Sequence, residues 1–323
     1  MISTKLEVLR CLHRREEAVM TDPTTQWIRE HAHRITTTDI EAPLTDLQPF
    51  ADIVGDASVV ALGASSRLTH ELSAVAHRLV RLLVEDHGFR SLALEGDERA
   101  SAELDAYVRT GDGDPVALLA SARSFWRTKE ILDLVTWMRA YNQRHPEDPV
   151  RVAHPSGAAP ETGQITTPAN PADIEGAIAV NTLRWYDETG HKIVYWGGVA
   201  HTSVRGSVAT AHPTGGTLMR ERLGHRYVSV GLTFHHGSED GGVPAPPTDF
   251  AEAVLGDAGI DTYFLDLRAD APAPVRAWLD TPTKARLIGP RYDPQLFLSG
   301  GALAEWFDIV VHVTSTTPVR AAA

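Results

Sequence analysis

Cysteine is almost missing from this chain: Cys11 stands alone among 323 residues. A disulfide framework within the chain is therefore excluded, and so is any metal site built from several thiolates. Long apolar runs are missing as well. None could span a bilayer, and Met1 to Met20 is interrupted by Lys, Arg and Glu, so it has no signal-peptide core. A cytoplasmic location is the default expectation. Base is also scarce relative to acid, 30 residues against 42, giving a net charge of -12. Nucleic acid and anionic membranes reward clustered Lys and Arg, so neither is expected as a partner. The excess acid serves solubility and names no substrate.

Several motifs are absent too. There is no G-x-G-x-x-G and no P-loop, and His70-Glu71 is followed by His77 rather than by a His at the zinc spacing. No cofactor and no metal is expected. His235 and His236 would alternate faces on a strand and could not both enter one site. The segment Gly63-Ala64-Ser65-Ser66-Arg67 is not a G-x-S-x-G elbow, which leaves standard serine-hydrolase chemistry unsupported.

What the chain does contain is an alternation of strands and helices. The apolar run Val59 to Leu62 ends in the Gly63 turn. Leu68, Leu72, Val75, Ala76, Leu79, Leu82 and Leu83 then keep a helical period, and Ser91 to Glu95 reads as a second strand. This βαβ unit is followed by helical patterns over 99–108, 115–122 and 128–143, and by a short strand at 150–153. Residues 154–171, rich in Pro, Gly, Ala and Thr, read as a mobile loop. A helix over 173–188, closed by Gly190, and a strand over 192–196 resume the alternation, which continues to Val313. The expectation is an N-terminal helical segment, 1–57, and an α/β domain, 58–323, with a doubly wound, mostly parallel sheet and helices on both faces.

In such a sheet, polar residues at strand tips share the crevice where ligands bind. Three tips qualify here: Ser65 to Arg67, Glu95 with Asp97, and His201. Glu95 and His201 form a carboxylate and imidazole pair suited to general acid–base work. Each has a plainer reading, Glu95 as a partner of a helix dipole and His201 as a bystander. Arg67, His70 and Glu71 are spaced to share a helix face, with Glu71 alternatively serving the dipole of that helix. Ser65 and Ser66 are expected to cap it. Trp126 and Arg127 can contact a ligand by stacking and charge, or be a packed ring and a solvated cation.

These blocks, in their order, resemble the erythromycin esterase family. The resemblance runs from Trp27-Ile28-Arg29-Glu30-His31-Ala32 through Val60 to Glu71, Leu92 to Asp97, Leu104 to Val108, Phe125 to Arg139, Ala179 to Trp185, and Trp196 to His201. It implies the family's α/β fold and a small-molecule substrate. The family's first motif, G-E-x-x-H-G-x-x-E, carries the implied catalytic Glu and His. Here Gly63 and Glu71 match, but Ala64 and Arg67 stand in those two places. The second-strand acid is kept as Glu95. The later H-N-x-H motif keeps only His201, with Gly198 and Val199 in the earlier places. The family's helical insertion before Ala179 is shortened to a loop, leaving a cleft that is more open or covered by something else, a partner chain being one case, so a homo-oligomer is one expectation.

These departures change the chemistry. A guanidinium stays protonated and cannot be a water-activating base, but it can hold an oxyanion and keep Glu95 ionised. The residues therefore suggest a catalytic set of Glu95, His201 and His70, with Arg67, Ser65, Ser66, Glu71, Trp126, Arg127 and Trp196 as substrate contacts. The leading expectation is a tailoring enzyme of secondary metabolism performing elimination, cyclisation or isomerisation. The alternatives are an esterase or lactonase using a rearranged set such as His70, and a catalytically silent ligand-binding protein.

Overall fold

The computed structural model describes residues 22–96, 98–154, 171–206 and 212–322. Strand formation follows the β-branched, period-two pattern. Within β2 (Val59–Ala64), Val60 and Leu62 enter one core layer, while Val59 and Ala61 enter the opposite one. A strand buried on both faces needs partners on each side. Accordingly β2 lies between β5 (Lys192–Gly198) and β6 (Tyr227–Gly237), parallel to both.

The full sheet has eight strands in the order β1-β7-β10-β6-β2-β5-β3-β4. Here β1 is His33–Arg34, β3 is Phe89–Leu94, β4 is Arg151–Val152, β7 is Thr262–Asp266 and β10 is Ile309–Thr316. Only the β7 pairings, with β1 and β10, are antiparallel. The expected doubly wound, mostly parallel architecture is the one found. A separate antiparallel hairpin, β8 (Pro282–Arg286) with β9 (Phe297–Ala302), was not expected from the pattern. Its strands carry Pro, Lys and two glycines instead of a hydrophobic alternation.

Helices cover both faces. Helix His70–His87 buries Leu72, Val75, Leu79, Leu82 and Leu83 against the β3 and β10 side of the sheet, and ends at Gly88, whose φ of 70° is a left-handed cap. Helices Glu98–Thr110 and Lys129–Arg144 share that face. Helices Pro171–Thr189 and Gly215–Leu223 lie on the other, around Ile178, Trp185 and Met219. A third cluster, centred on Trp27, Tyr263 and Trp306, joins helix Pro23–His31 and the hairpin to the β7 end of the sheet.

The order 2-5-3 has one consequence for the site. Although β2 and β3 are consecutive in sequence, β5 is inserted between them, so the tips of all three meet. Ala64 is level with Gly198, and Leu94 with Trp196.

The segment between β2 and its helix departs from expectation. Ser65 and Ser66 do not cap helix His70–His87; Thr69 occupies the N-cap position, and its side chain makes no capping bond. The reason is that other chain segments hold this bend and turn out of the helix. The Ser65 amide donates to Leu232 O at 2.9 Å, and Ser65 O accepts from Ile288 N at 2.7 Å. Beyond it, the Val319 amide donates to Leu68 O, and His70 N to Thr317 O. The C-terminal residues thus form a strap across the helix entrance. Arg67 lies before the helix and shares no face with His70 and Glu71.

Candidate active site

Four charged side chains line up at the junction of β2, β3 and β5. Arg67 follows β2, and its Nη1 donates to Glu95 Oε1 at the tip of β3. The other Glu95 oxygen accepts the Gly198 amide at 2.6 Å. His201, on the short helix Val199–Thr202 that ends β5, places Nε2 3.5 Å from Glu95 Oε1. Its Nδ1 lies 2.5 Å from Oε1 of Glu175, on helix Pro171–Thr189. Glu175 Oε2 in turn accepts from Gly215 N at 2.7 Å.

The row is layered by charge. The Arg67 and His201 side chains are each 23% exposed, whereas those of Glu95 and Glu175 are 8% and 6% exposed. The cations therefore face solvent and the carboxylates back them. Burial alone would raise the Glu95 pKa, but the charges of His201 and Arg67 and the Gly198 amide hold it below the ordinary carboxylate value. Burial alone would lower that of His201. The Glu175 hydrogen bond and the two carboxylate charges prevail and hold it above the usual imidazole value. With Nδ1 committed to Glu175, Nε2 is the nitrogen left to exchange a proton with a ligand.

Backbone and aromatic groups fix this row. A Cβ on Gly197 would come 2.8 Å from Tyr195 Cε1 and 2.9 Å from Glu95 Oε2, so only glycine lets the carboxylate approach β5 so closely. The Phe125 ring lies beneath the Arg67 guanidinium, 3.9 Å from Cζ to centroid. Trp126 is buried, donates Nε1–H to Glu95 O at 3.0 Å and meets the buried Trp196 edge to face. The Trp126 ring thus holds the backbone of Glu95, the Trp196 ring packs against it, and both are buried. Behind the carboxylates, the Tyr195 hydroxyl is fully buried without a hydrogen-bond partner, and burial together with Glu95 and Glu175 keeps it protonated.

The remaining sequence candidates divide. Ser65 Oγ is buried and unpartnered, while Ser66 Oγ accepts from Leu68 N at 3.3 Å. Glu71 grips the C-terminal strap, accepting from Thr317 N at 2.6 Å and Oγ1 at 2.7 Å. Arg127 is exposed and donates Nε–H to Ala122 O. His70 is turned to Glu130, with Nδ1 2.7 Å from Oε1, in a separate cleft, and is not a member of the Glu95–His201 row. Asp97 and most of the expected loop, 155–170, lie outside the described residues. Sequence reasoning missed Glu175, Phe125 and Tyr195. Glu175 left a signal: it occupies the apolar stripe of its helix, three, four and seven residues before the buried Ile178, Ala179 and Thr182. Among the described residues no group of His, Cys, Asp and Glu is arranged to hold a metal ion.

The sequence profile of the erythromycin esterase family matches residues 84–153 and 167–316. Erythromycin esterase type II of Escherichia coli is 29% identical over 102 residues, 32% of this chain and 24% of its own length. The chain thus spans about a quarter of that curated relative. A Bacillus cereus protein of solved structure superposes with a TM-score of 0.80 at 23% identity, covering 92% of this chain and 98% of that one. A succinoglycan biosynthesis protein gives 0.81 at 20% identity, over 93% and 98%. A mutant of the erythromycin esterase EreC in its open conformation gives 0.61 at 13% identity, over 88% and 97%. At these identities the structural likenesses speak for the fold.

Proposed function

The chain belongs to the erythromycin esterase family, and from the altered site that it carries we propose a small-molecule tailoring enzyme whose chemistry is acid–base and non-hydrolytic. The observation behind this reading is the row Arg67–Glu95–His201–Glu175, in which the two cations are outermost. Elimination, cyclisation or isomerisation of an oxygenated substrate needs one proton moved and the charge on one oxygen held. His201 Nε2 supplies or removes the proton, and the hydrogen bond to Glu175 with the two carboxylate charges favours its protonated form beyond that of an ordinary imidazole. Arg67 holds the developing oxyanion and, being permanently protonated, takes no part in proton transfer. Glu95 and Glu175 orient and charge-balance these two groups. Secondary metabolism remains the proposed setting.

Hydrolysis of an ester or lactone is a second reading, favoured by family membership and by the pairing of Glu95 with His201. It requires a neutral imidazole to activate water, which the flanking carboxylates oppose. Incubating the protein with a metabolite extract and weighing each product separates the readings. Loss of water, or unchanged mass with altered retention, supports the proposal. Gain of one water returns the chain to the hydrolases. A metabolite retained without conversion identifies a binding protein. Turnover that survives both Glu95→Ala and His201→Ala would remove the row from the chemistry altogether.

A further inference from the structure

In the Arg67 row the acceptors are used up and the donors are not. Both oxygens of Glu95 are engaged, one by Arg67 and the other by the Gly198 amide at 2.6 Å. Both oxygens of Glu175 are engaged as well, by His201 Nδ1 at 2.5 Å and by the Gly215 amide at 2.7 Å. Among the described residues Arg67 donates only from Nη1, which leaves the Nε–Nη2 edge of its guanidinium for a ligand. His201 Nε2 stands 3.5 Å from the oxygen that Arg67 grips, so the two outward cations bracket one place, Glu95 Oε1. The guanidinium is held in one orientation. Phe125 stacks on it at 3.9 Å, and a Cβ on Gly198 would come 3.3 Å from Nη1, so the group lies close over β5. A third cation, Arg123, borders the same tip and donates Nε–H to Gly96 O. It adjoins the single turn Ser124–Trp126, so one segment both braces the tip of β3 and adds positive charge to it.

This surplus of donors selects the occupant. A cation would meet Arg67 and His201 with no free carboxylate to receive it. An apolar group would displace water from the guanidinium edge without replacing its hydrogen bonds. A phosphoryl group presents acceptors in three directions, whereas the Gly198 and Gly215 amides are already spent on the two carboxylates. A carboxylate is planar and matches a single fork through two parallel N–H···O bonds. We propose that the substrate of this site is a small organic acid whose carboxylate is held by the Nε–Nη2 edge of Arg67, with its reacting centre turned to His201 Nε2. The inference rests on the acid–base reading and extends it to a substrate class. Charge that develops on the carbon beside that carboxylate spreads onto the oxygens Arg67 already holds, so binding and oxyanion support fall to one guanidinium.

Titration with sodium benzoate at constant ionic strength and neutral pH, observed through the imidazole ring resonances of His201, tests the class. Benzamide serves as the neutral isostere and sodium phosphate as the competing anion. The expected result is a saturable shift with benzoate, none with benzamide, and weaker binding of phosphate. Arg67→Gln should weaken benzoate binding about tenfold, the usual size of one charge-assisted contact. Arg67→Lys keeps the charge beside Glu95 but loses the fork, and should restore only part of the affinity. No saturable shift with benzoate, an equal response to benzamide, or undiminished affinity in Arg67→Gln overturns the proposal. Phosphate binding more tightly than benzoate, or full affinity in Arg67→Lys, overturns the carboxylate fork. Failure of the underlying reading is distinct: benzoate binding without conversion of any metabolite would overturn the acid–base chemistry and keep the carboxylate site. A converted metabolite that carries no carboxyl group would overturn the substrate class and keep the chemistry.

Discussion

His201 Nδ1 and Glu175 Oε1 lie 2.5 Å apart, although the two residues belong to different elements and one stands on the helix that precedes β5. This contact decides which imidazole nitrogen is free and raises the proton affinity of the ring. Glu175→Gln removes the negative charge while keeping a hydrogen-bonding oxygen. Burial then acts on His201 with only Glu95 opposing it, so the pKa must fall. In the wild-type protein the His201 ring should titrate above 6.5, and in Glu175→Gln its midpoint should drop. NMR titration of the imidazole reads this directly; an unmoved midpoint would deny Glu175 its role.

Stability should follow the same charges with opposite signs at the two ends of the pH range. Glu95 has a depressed pKa in the folded state, so its contribution is complete above 4.5 and fades as pH falls through the folded value. His201 has a raised one, so its contribution is complete below 6.5 and fades as pH rises through its folded value. Denaturant unfolding of the wild-type protein and of Glu95→Gln should differ by about 3 kcal/mol near pH 6, because the variant strands Arg67 and His201 without their shared carboxylate. The gap should narrow below pH 4. A constant difference across the range would contradict the electrostatic account.

Gly197 is a steric requirement. Its missing Cβ leaves room for both Tyr195 Cε1 and Glu95 Oε2, at 2.8 and 2.9 Å from where that atom would be. Gly197→Ala should cost about 1–3 kcal/mol in thermal or denaturant unfolding, as overpacking in a rigid interior does. Gly190→Ala would add a methyl group where nothing lies within 4 Å, so it reports only the strain of a left-handed residue. Unchanged stability in Gly197→Ala would show that the carboxylate can retreat.

The C-terminal strap should protect two helix entrances. His70 N–H donates to Thr317 O and Lys129 N–H to Arg320 O, both at 2.8 Å. Removing residues 318–323 deletes the acceptor of Lys129 but leaves that of His70. Hydrogen exchange should accelerate strongly at Lys129 and less at His70. Equal protection in the shortened chain would mean that the strap only lies over the helices.

The contrast between what the sequence revealed and what it concealed has a physical basis. β2, helix His70–His87 and β5 were legible because each carries its burial pattern within a few consecutive residues. The convergence of Arg67, Glu95 and His201 was legible because parallel strands place their tips on one edge. Glu175 was hidden because its partner is distant in the chain and a carboxylate early in a helix has an ordinary explanation. His70 was misplaced because the strap, a tertiary contact with no local signature, delays the helix until after Arg67. Helical spacing applied to a segment that is not yet helix gave the wrong neighbours.

The outward cations sit in an unfavourable field. When His201 is protonated, two positive and two negative groups cancel within the row, while the chain as a whole, with its histidines neutral, carries a net charge of -12. An anion destined for Arg67 and His201 must first approach a body that repels it, and feels their attraction only at short range. Salt screens the long-range term over about 10 Å at 0.1 M and affects a partly buried contact less. Moderate ionic strength should therefore speed capture of an anionic substrate, the reverse of electrostatic steering, and association rates would depend on the solution more than the bound complex does.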